Sequence, residues 1–294
     1  MKKLSLIFSL FIILYCPIYG AVQVVTTTTT LANIVSQIGG NRVQVQSFSQ
    51  GGQDTHQVTA KPSMVMKAKQ ADVIFLLGMD LDDWVYAIIE TSRSKKFFRG
   101  SDRLIDVSKA ISLKKDIPKG FIDGRHGDIH IHGNPHYLYD PTNGILVAKL
   151  ITSTLTTLDP AGQDYYENNF QSFQKSLISL TKKLKSNHSI SMISYHDSLP
   201  YFSDYFEISI IGMIEPKPGI SPSPGHLSQL KALGLSKKSV IVVSEPWQNQ
   251  AIAKSVAKAI NAPLVIFWAE VGSHPKVSSY QDIFLTFFEQ LKTN

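Results

Sequence analysis

Tyr166, Phe170, Phe173, Leu177, Leu180 and Leu184 are spaced 4, 3, 4, 3 and 4 residues apart, which lays one unbroken apolar stripe along a helix of 19 residues. At 1.5 Å per residue such a helix runs about 28 Å, long enough to span a lobe from end to end. The stripe is core packing for a stiff strut, and it leaves the chain only one economical plan: a folded half on each side. With 43% hydrophobic and 18% charged residues, both halves have the material for proper cores, and disordered or fibrous classes are excluded.

Each half alternates strand and helix. Val22 to Val25 is a β-branched run, followed by a threonine string that supplies an N-cap and by Leu31, Ile34, Val35 and Ile38 at helical spacing, closed by Gly39 and Gly40. Val43, Val45 and Phe48 suggest a second strand, Pro62 to Gln70 a helix begun by proline, Ala71 to Leu77 a buried strand, and Leu81 to Ile89 a helix. Residues 112–140 lose this periodicity and gain Gly, Asp, His and Pro, and a loop of that length inside a compact domain is usually functional or disordered. From Pro141 the pattern is helical for over forty residues with a break at Asp159-Pro160. Strands are then expected at Ile190 to Ser194, Ile208 to Ile214, Val240 to Ser244 and Leu264 to Trp268, with helices at Leu227 to Leu233 and Ala251 to Ile260. The predicted fold is α/β, two lobes with mainly parallel sheets (21–140 and 187–294) joined by a rigid helical linker (141–186).

Residues 1–20 read differently. Lys2 and Lys3 precede the apolar run Leu4 to Tyr15, and Gly20 and Ala21 offer a small-residue exit, which describes a secretory signal peptide too short to span a bilayer. The chain's single cysteine, Cys16, lies in this segment behind Tyr15, where a lipoprotein signal wants a small residue, so the reading is a cleaved periplasmic chain without a lipid anchor. Cleavage would also leave no thiol for a disulfide or a metal. Loss of Lys2 and Lys3 takes the formal net charge from +6 to +4, and the remaining lysines are scattered pairs, not an aromatic-laced stripe, which argues against nucleic acid as a partner.

Four of the nine histidines, His126, His130, His132 and His136, fall in or beside the segment GDIHIHGNPHYLYDP, a density that signals metal. In open parallel sheets ligands bind beyond the carboxyl ends of the strands. Searching those ends adds His56 in GGQDTHQ, His196 in SYHDSLPYF and Glu270 in FWAEVG, with Glu245 in SEPW as a competing carboxylate. His56, His136, His196 and Glu270 make an N3O set suited to tetrahedral Zn²⁺, with all positions filled by protein, which favours holding over catalysis. A secreted zinc hydrolase is the rival from another class, but HExxH is missing from the sequence and Asp197 is the sole candidate base. His188, His226 and His274 read as surface or loop residues, and Trp84, Trp247 and Trp268 as core or cleft wall.

The run of motifs GQDTHQVTAKPS, ADVIFLLGMDLDDW, NPHYLYDP, SYHDSLPYF and FWAEVGS with Tyr280 downstream, in that order from about Val22 to Leu291, resembles the metal-binding solute-binding proteins of ABC transporters. The resemblance implies that His56, His136 and His196 are ligands and that a membrane permease is the partner of a monomeric receptor that is not an enzyme. It places Glu270 where the family usually has aspartate, and Leu138 where it more often has tryptophan. It also likens His126, His130 and His132 to a shortened histidine-rich loop that samples zinc. A third histidine in place of a carboxylate favours zinc, with Mn²⁺ and Fe²⁺ as alternatives.

Overall fold

The structure, a computed structural model, describes residues 20–112, 130, 132–185, 189–217 and 219–293. The signal segment with Cys16, and also His126 and His188, lie outside the described residues. Among the described residues no helix is long and apolar enough to cross a membrane.

Two four-stranded sheets with all strand pairs parallel form the lobes. In the first, β1 (Val22–Thr26), β2 (Val43–Ser47), β3 (Val73–Leu76) and β4 (Leu104–Asp106) lie in the order β2-β1-β3-β4. In the second, β5 (Ser191–Ser194), β6 (Ser209–Met213), β7 (Val240–Ser244) and β8 (Leu264–Ile266) repeat that order as β6-β5-β7-β8. Burial explains the composition of the strands. β3 is VIFL with every residue buried because helices cover both faces, whereas the edge strand β2 reads VQVQS and is nowhere fully buried.

The helices are α1 (Thr29–Gly39), α2 (Pro62–Gln70), α3 (Trp84–Ser92), α4 (Pro141–Leu158), α5 (Gln163–Leu184), α6 (Pro200–Phe206), α7 (Pro224–Leu235), α8 (Gln250–Ala259) and α9 (Tyr280–Thr293). Thr28 caps α1 by accepting from the Leu31 N–H at 3.2 Å. Sequence periodicity passed over β4, α6 and α9. β4 has only three residues, but α9 carries buried Tyr280, Ile283, Phe284, Phe287 and Phe288 at clear helical spacing.

The expected strut is α5, 22 residues and so about 33 Å long. Its buried row is Tyr166, Phe170, Phe173, Leu177, Thr181 and Leu184, so Thr181 takes the place expected for Leu180. A strict 4-3 repeat drifts around a 3.6-residue helix, and here the inner row steps by four from Leu177. The Thr181 hydroxyl is satisfied in that position, donating to Leu177 O at 2.9 Å and meeting the Tyr205 hydroxyl at 2.9 Å. The strut is not a lone helix: α4 packs along it, and α1 and α9 pack against it. At the break between α4 and α5, buried Asp159 takes a two-pronged ion pair from Arg42 (2.7 and 2.8 Å) and the Tyr166 hydroxyl (2.7 Å), fastening the linker to the start of β2.

One apolar core runs through both lobes, from Val24 and Ile34 to Val243 and Phe267, and includes an aromatic cluster of Phe202, Phe206, Phe267, Phe284, Phe287 and Phe288. A continuous core between lobes resists bending, because opening it would expose packed aromatic area to water.

Candidate metal centre

Chain order 2-1-3-4 in both sheets places two topological switch points face to face, and the side chains that leave the strand ends meet between them. His56 sits in a 3-10 turn (Thr55–Gln57) beyond β2, His196 two residues beyond β5, and His136 in the segment that leads into α4. One ring nitrogen from each of the three lies within 4.8 Å of the other two. Their ring centroids form a nearly equilateral triangle: 5.3 Å for His56–His136 and 5.5 Å for both pairs with His196. With a metal–nitrogen bond of about 2.1 Å and a ring centre about 1.1 Å beyond the nitrogen, two imidazoles at the tetrahedral angle have centroids about 5.2 Å apart. The observed spacings already match one shared ion.

Each ring is oriented through Nδ1. His56 Nδ1 lies 2.9 Å from Asp54 Oδ1, His136 Nδ1 lies 3.0 Å from Asn134 Oδ1, and His196 Nδ1 lies 2.8 Å from Glu215 Oε2. A carboxylate only accepts, so Nδ1 donates in the first and third. In the second, the Asn134 amide nitrogen donates to Asp197 O at 2.7 Å, which identifies Oδ1 as the atom facing His136. In all three, Nε2 is left with its lone pair toward the centre, the tautomer a metal needs. His56 Nε2 is buried and has no hydrogen-bond partner among the described residues. A buried acceptor of this kind suits a metal ion.

Two of these devices are one local motif used twice. Asp54 and Asn134 each accept both the backbone N–H (3.0 Å) and the ring Nδ1 of the histidine two residues on, so D-T-H and N-P-H are Asx turns that orient an imidazole. That spacing is visible in the sequence, in GGQDTHQ and NPHYLYDP. Glu215 was missed altogether. It stands two residues beyond β6, as His196 stands two beyond β5, so its strand-end place is legible in the sequence.

Glu270, beyond β8, lies 7% exposed in the wall of the cleft, but three donors from the N-terminus of α1 converge on its Oε2: the Thr29 hydroxyl at 3.0 Å, the Thr30 N–H at 2.9 Å and the Thr30 hydroxyl at 2.7 Å. Burial pushes its carboxyl above the ordinary value while these donors pull it down. Glu245, beyond β7, is buried in the same wall and accepts from Gln248. Burial raises its carboxyl too, opposed chiefly by the charge of His196. Burial, then His56 and His196, hold the His136 imidazole well below its usual value. Burial acts on His196 as well, but the hydrogen bond to Glu215 and the charges of Glu245, Glu215 and Asp197 outweigh it and raise that ring.

The loop histidines divide. The His130 ring stands 5.3 Å from His56 and 6.5 Å from His136. His132, exposed, has Nε2 3.4 Å from Asp80 Oδ1. His226 Nε2 lies 2.9 Å from Met213 O, and His274 stacks on Trp268 at 4.4 Å. Trp84 donates to Thr55 O at 3.3 Å, bracing the His56 turn, and Trp247 lines the cleft.

The segment carrying His136 is bonded to both lobes. The Tyr137 hydroxyl donates to Leu77 O in the first lobe, the Asn134 amide reaches Asp197 in the second, Tyr201 donates to Asn134 O at 3.2 Å, and Tyr280 donates to Leu138 O. At the rim the lobes touch backbone to backbone: a Cβ on Gly51 would lie 2.3 Å from Val271 O.

The family model described as zinc-uptake complex component A, periplasmic, matches residues 24–294. The chain belongs to that family, the substrate-binding components of metal ABC transporters. Among its curated relatives, the metal ABC transporter substrate-binding lipoprotein SloC of Streptococcus mutans serotype c is 29% identical over 82% of this chain and 78% of its own length. The manganese ABC transporter substrate-binding lipoprotein PsaA of Streptococcus pneumoniae is 24% identical over 90% and 88%. The iron ABC transporter substrate-binding lipoprotein MtsA of Streptococcus pyogenes serotype M6 is 26% identical over the same shares. A crystal structure of ZnuA superposes with a TM-score of 0.75 at 20% identity, covering 92% of this chain and 97% of that one, which shows the shared two-lobed fold.

Proposed function

We propose that this zinc-uptake family member captures Zn²⁺ in the periplasm through His56, His136 and His196, with Glu270 as the fourth donor, and delivers it to an ABC permease for import. Residues 21–140 and 187–294 act as the lobes and 141–186 as the connector. The observation that carries the reading is the triangle of three imidazoles, each turned by an oxygen on Nδ1 so that Nε2 points at one centre. Three nitrogen donors favour zinc over manganese, whose preference runs to oxygen. Relatives named for manganese and iron keep Mn²⁺ and Fe²⁺ as the second reading of the cargo.

Glu270 reaches an ion by presenting Oε1 while Oε2 stays on Thr29 and Thr30, and Glu245 is the substitute carboxylate. The site has the donors of a holding centre, and Asp197, the base that the hydrolase reading nominates, faces the amide of Asn134. The relatives are named lipoproteins, so mass spectrometry of the mature N-terminus decides between a lipidated Cys16 and the free end near Ala21 expected from the sequence.

The test is metal analysis and isothermal titration of the apo protein and of His136→Ala. One-to-one zinc binding below micromolar Kd, lost in the variant and without metal-dependent ester or peptide hydrolysis, supports the reading. Metal-dependent turnover, or zinc binding that survives His136→Ala, overturns it.

A further inference from the structure

The positive charge of this chain is concentrated in one place. Residues 21–294 net +4, and residues 93–103, RSKKFFRGSDR, hold that whole excess: Arg93, Lys95, Lys96, Arg99 and Arg103 against Asp102. The segment joins α3 to β4, so it lies at the amino edge of the first sheet, the edge turned away from the cleft. It is a built turn. Phe97 is 4% exposed and packs with Ile88 and Leu104, while its neighbour Phe98 is 62% exposed. Ser101 closes the turn, its hydroxyl donating to Lys96 O at 2.6 Å and its N–H to Phe98 O at 2.9 Å. The Arg99 guanidinium lies 3.6 Å over the Tyr86 ring, and Lys96 Nζ donates to Ala71 O at 3.0 Å. A lone exposed phenylalanine is ordinary, but a ring held at the tip of a fixed turn and surrounded by cations has the make-up of an interfacial anchor: an apolar body for the acyl boundary, and charges for phosphates.

The start of β1 says which surface this turn meets. The Gln23 N–H donates to Asp72 Oδ2 at 3.0 Å, the Gln23 amide to Ala21 O at 3.0 Å, and Lys96 Nζ lies 3.4 Å from Asp72 Oδ1. Ala21 and the basic turn therefore share one edge of the molecule, joined through Asp72. The apolar leader expected in residues 1–20 leads off from that edge, so this is the pole nearest a bilayer at export. A lipid on Cys16 would keep the edge within five residues, about 17 Å, of the headgroups. The second lobe has a poorer patch at its own amino edge, where Leu235, 64% exposed, stands beside Lys237 and Lys238, far along the chain from Ala21. A second copy of this chain would bring like charge against like.

We propose that residues 93–103 dock this pole of the protein on an anionic phospholipid bilayer, with Phe98 entering the boundary between headgroups and acyl chains and the surrounding cations facing lipid phosphates. Arg93 and Lys95 are exposed, which leaves them reach for phosphate, whereas Lys96 and Arg99 add charge while holding the turn. Because the turn lies at the edge opposite the metal centre, docking leaves the cleft clear of the lipid. A receptor held in this way meets its permease by diffusion in the plane of the membrane, with or without an acyl chain.

Co-sedimentation tests this with two vesicle types, phosphatidylglycerol mixed into phosphatidylcholine and phosphatidylcholine alone. Every sample carries Cys16→Ser, so that no acyl chain contributes, and comes from the soluble periplasmic fraction. The parent is compared with Lys95→Glu, with Phe98→Ser, and with Lys237→Glu/Lys238→Glu at the other pole, and circular dichroism checks that all are folded. The parent should bind the mixed vesicles and not phosphatidylcholine alone. That binding should vanish between about 0.1 M and 1 M salt, as the Debye length falls from about 10 Å to 3 Å. Lys95→Glu should weaken it roughly 25-fold, one cation lost and one anion gained at about fivefold each. Phe98→Ser should weaken it roughly five- to tenfold, the gain left in burying the exposed part of the ring. The second-lobe variant should stay within threefold of the parent. Binding equal on both vesicle types, binding that neither turn variant weakens, or a larger loss in the second-lobe variant overturns the inference. So does a dimer in sedimentation velocity without lipid that Phe98→Ser abolishes, which would assign the turn to a second copy.

Discussion

Replacing Glu215 by glutamine removes one charge from the site while keeping an oxygen for His196 Nδ1. Glu215 Oε2 is 2.8 Å from Nδ1 with the carboxylate side chain 18% exposed, so it is only partly screened. A metal on Nε2 would sit about 7 Å from that oxygen, and a 2+ ion facing one negative charge at this distance with an effective dielectric of about 20 gains roughly 5 kcal/mol. That is a ceiling, because in the empty site Glu215 already favours a proton on His196 and the metal must displace it. Measured losses for orienting partners of ligand histidines run about 10- to 100-fold, or roughly 1.4 to 2.7 kcal/mol. The large ceiling puts Glu215→Gln near the upper end: about a hundredfold weaker zinc binding at pH 7.5 by competition with a chromophoric chelator. NMR titration of His196 in the apo protein supplies the independent sign. Its raised value should drop once the Glu215 charge is gone, since burial acting alone lowers it. A zinc Kd within threefold of wild type together with an unmoved His196 titration would refute the orienting role.

Zinc affinity should weaken as pH falls, starting above the reference histidine value of about 6.5 because His196 is raised, at close to tenfold per unit for one displaced proton; titrations from pH 8 to 5 check the slope. Apo stability has opposed contributions: that of His196, whose value is raised, is present below about 6.5 and fades as pH rises through its folded value, while that of His136, whose value is depressed, is present above about 6.5 and is lost as pH falls through its folded value. Thermal melts of the apo protein should therefore lose the acid-side dependence in His136→Ala. Asp159→Asn leaves the partly exposed Arg42 facing a neutral group at the linker break and should cost about 1 to 2 kcal/mol in urea unfolding with metal affinity little changed. Gly51→Ala puts a methyl 2.3 Å from Val271 O, and overpacking of about 1 to 3 kcal/mol borne by the closed rim should weaken zinc binding roughly 5- to 160-fold while circular dichroism stays that of wild type.

What the sequence disclosed was whatever is written within a few residues. The strands of both lobes other than β4, the proline-started α2, and the break at Asp159-Pro160 rest on local periodicity and local punctuation, and the structure has them. His56, His136 and His196 were legible because strand ends and an N-P-H turn are local signs. The partners that orient and tie the site were not, except where an Asx turn put them two residues away. Glu215 meets His196 through the pairing of β6 with β5, and Thr29 and Thr30 meet Glu270 across some 240 positions of chain. Thr181 on the buried row of α5 shows the same limit: a hydroxyl is expected outward until Tyr205, from another helix, supplies its partner.

The double anchoring of the His136 segment bears on how a membrane partner recognises a loaded receptor. Leu77, Asn134, Leu138 and Asp197 are all held by bonds that cross from this segment to one lobe or the other, and each buried bond is worth about 1 kcal/mol. A wide swing of the lobes would break several at once, so an empty and a full receptor should differ little in outline. They differ in potential: Asp54, Glu215, Glu245 and Glu270 crowd one cleft, and a doubly charged ion offsets two of those four formal charges. A docking surface that approaches the cleft mouth with its own acidic groups would be repelled by the empty form and released from that repulsion by the full one. The cargo would then announce itself by its field, at a distance where shape has not yet been felt.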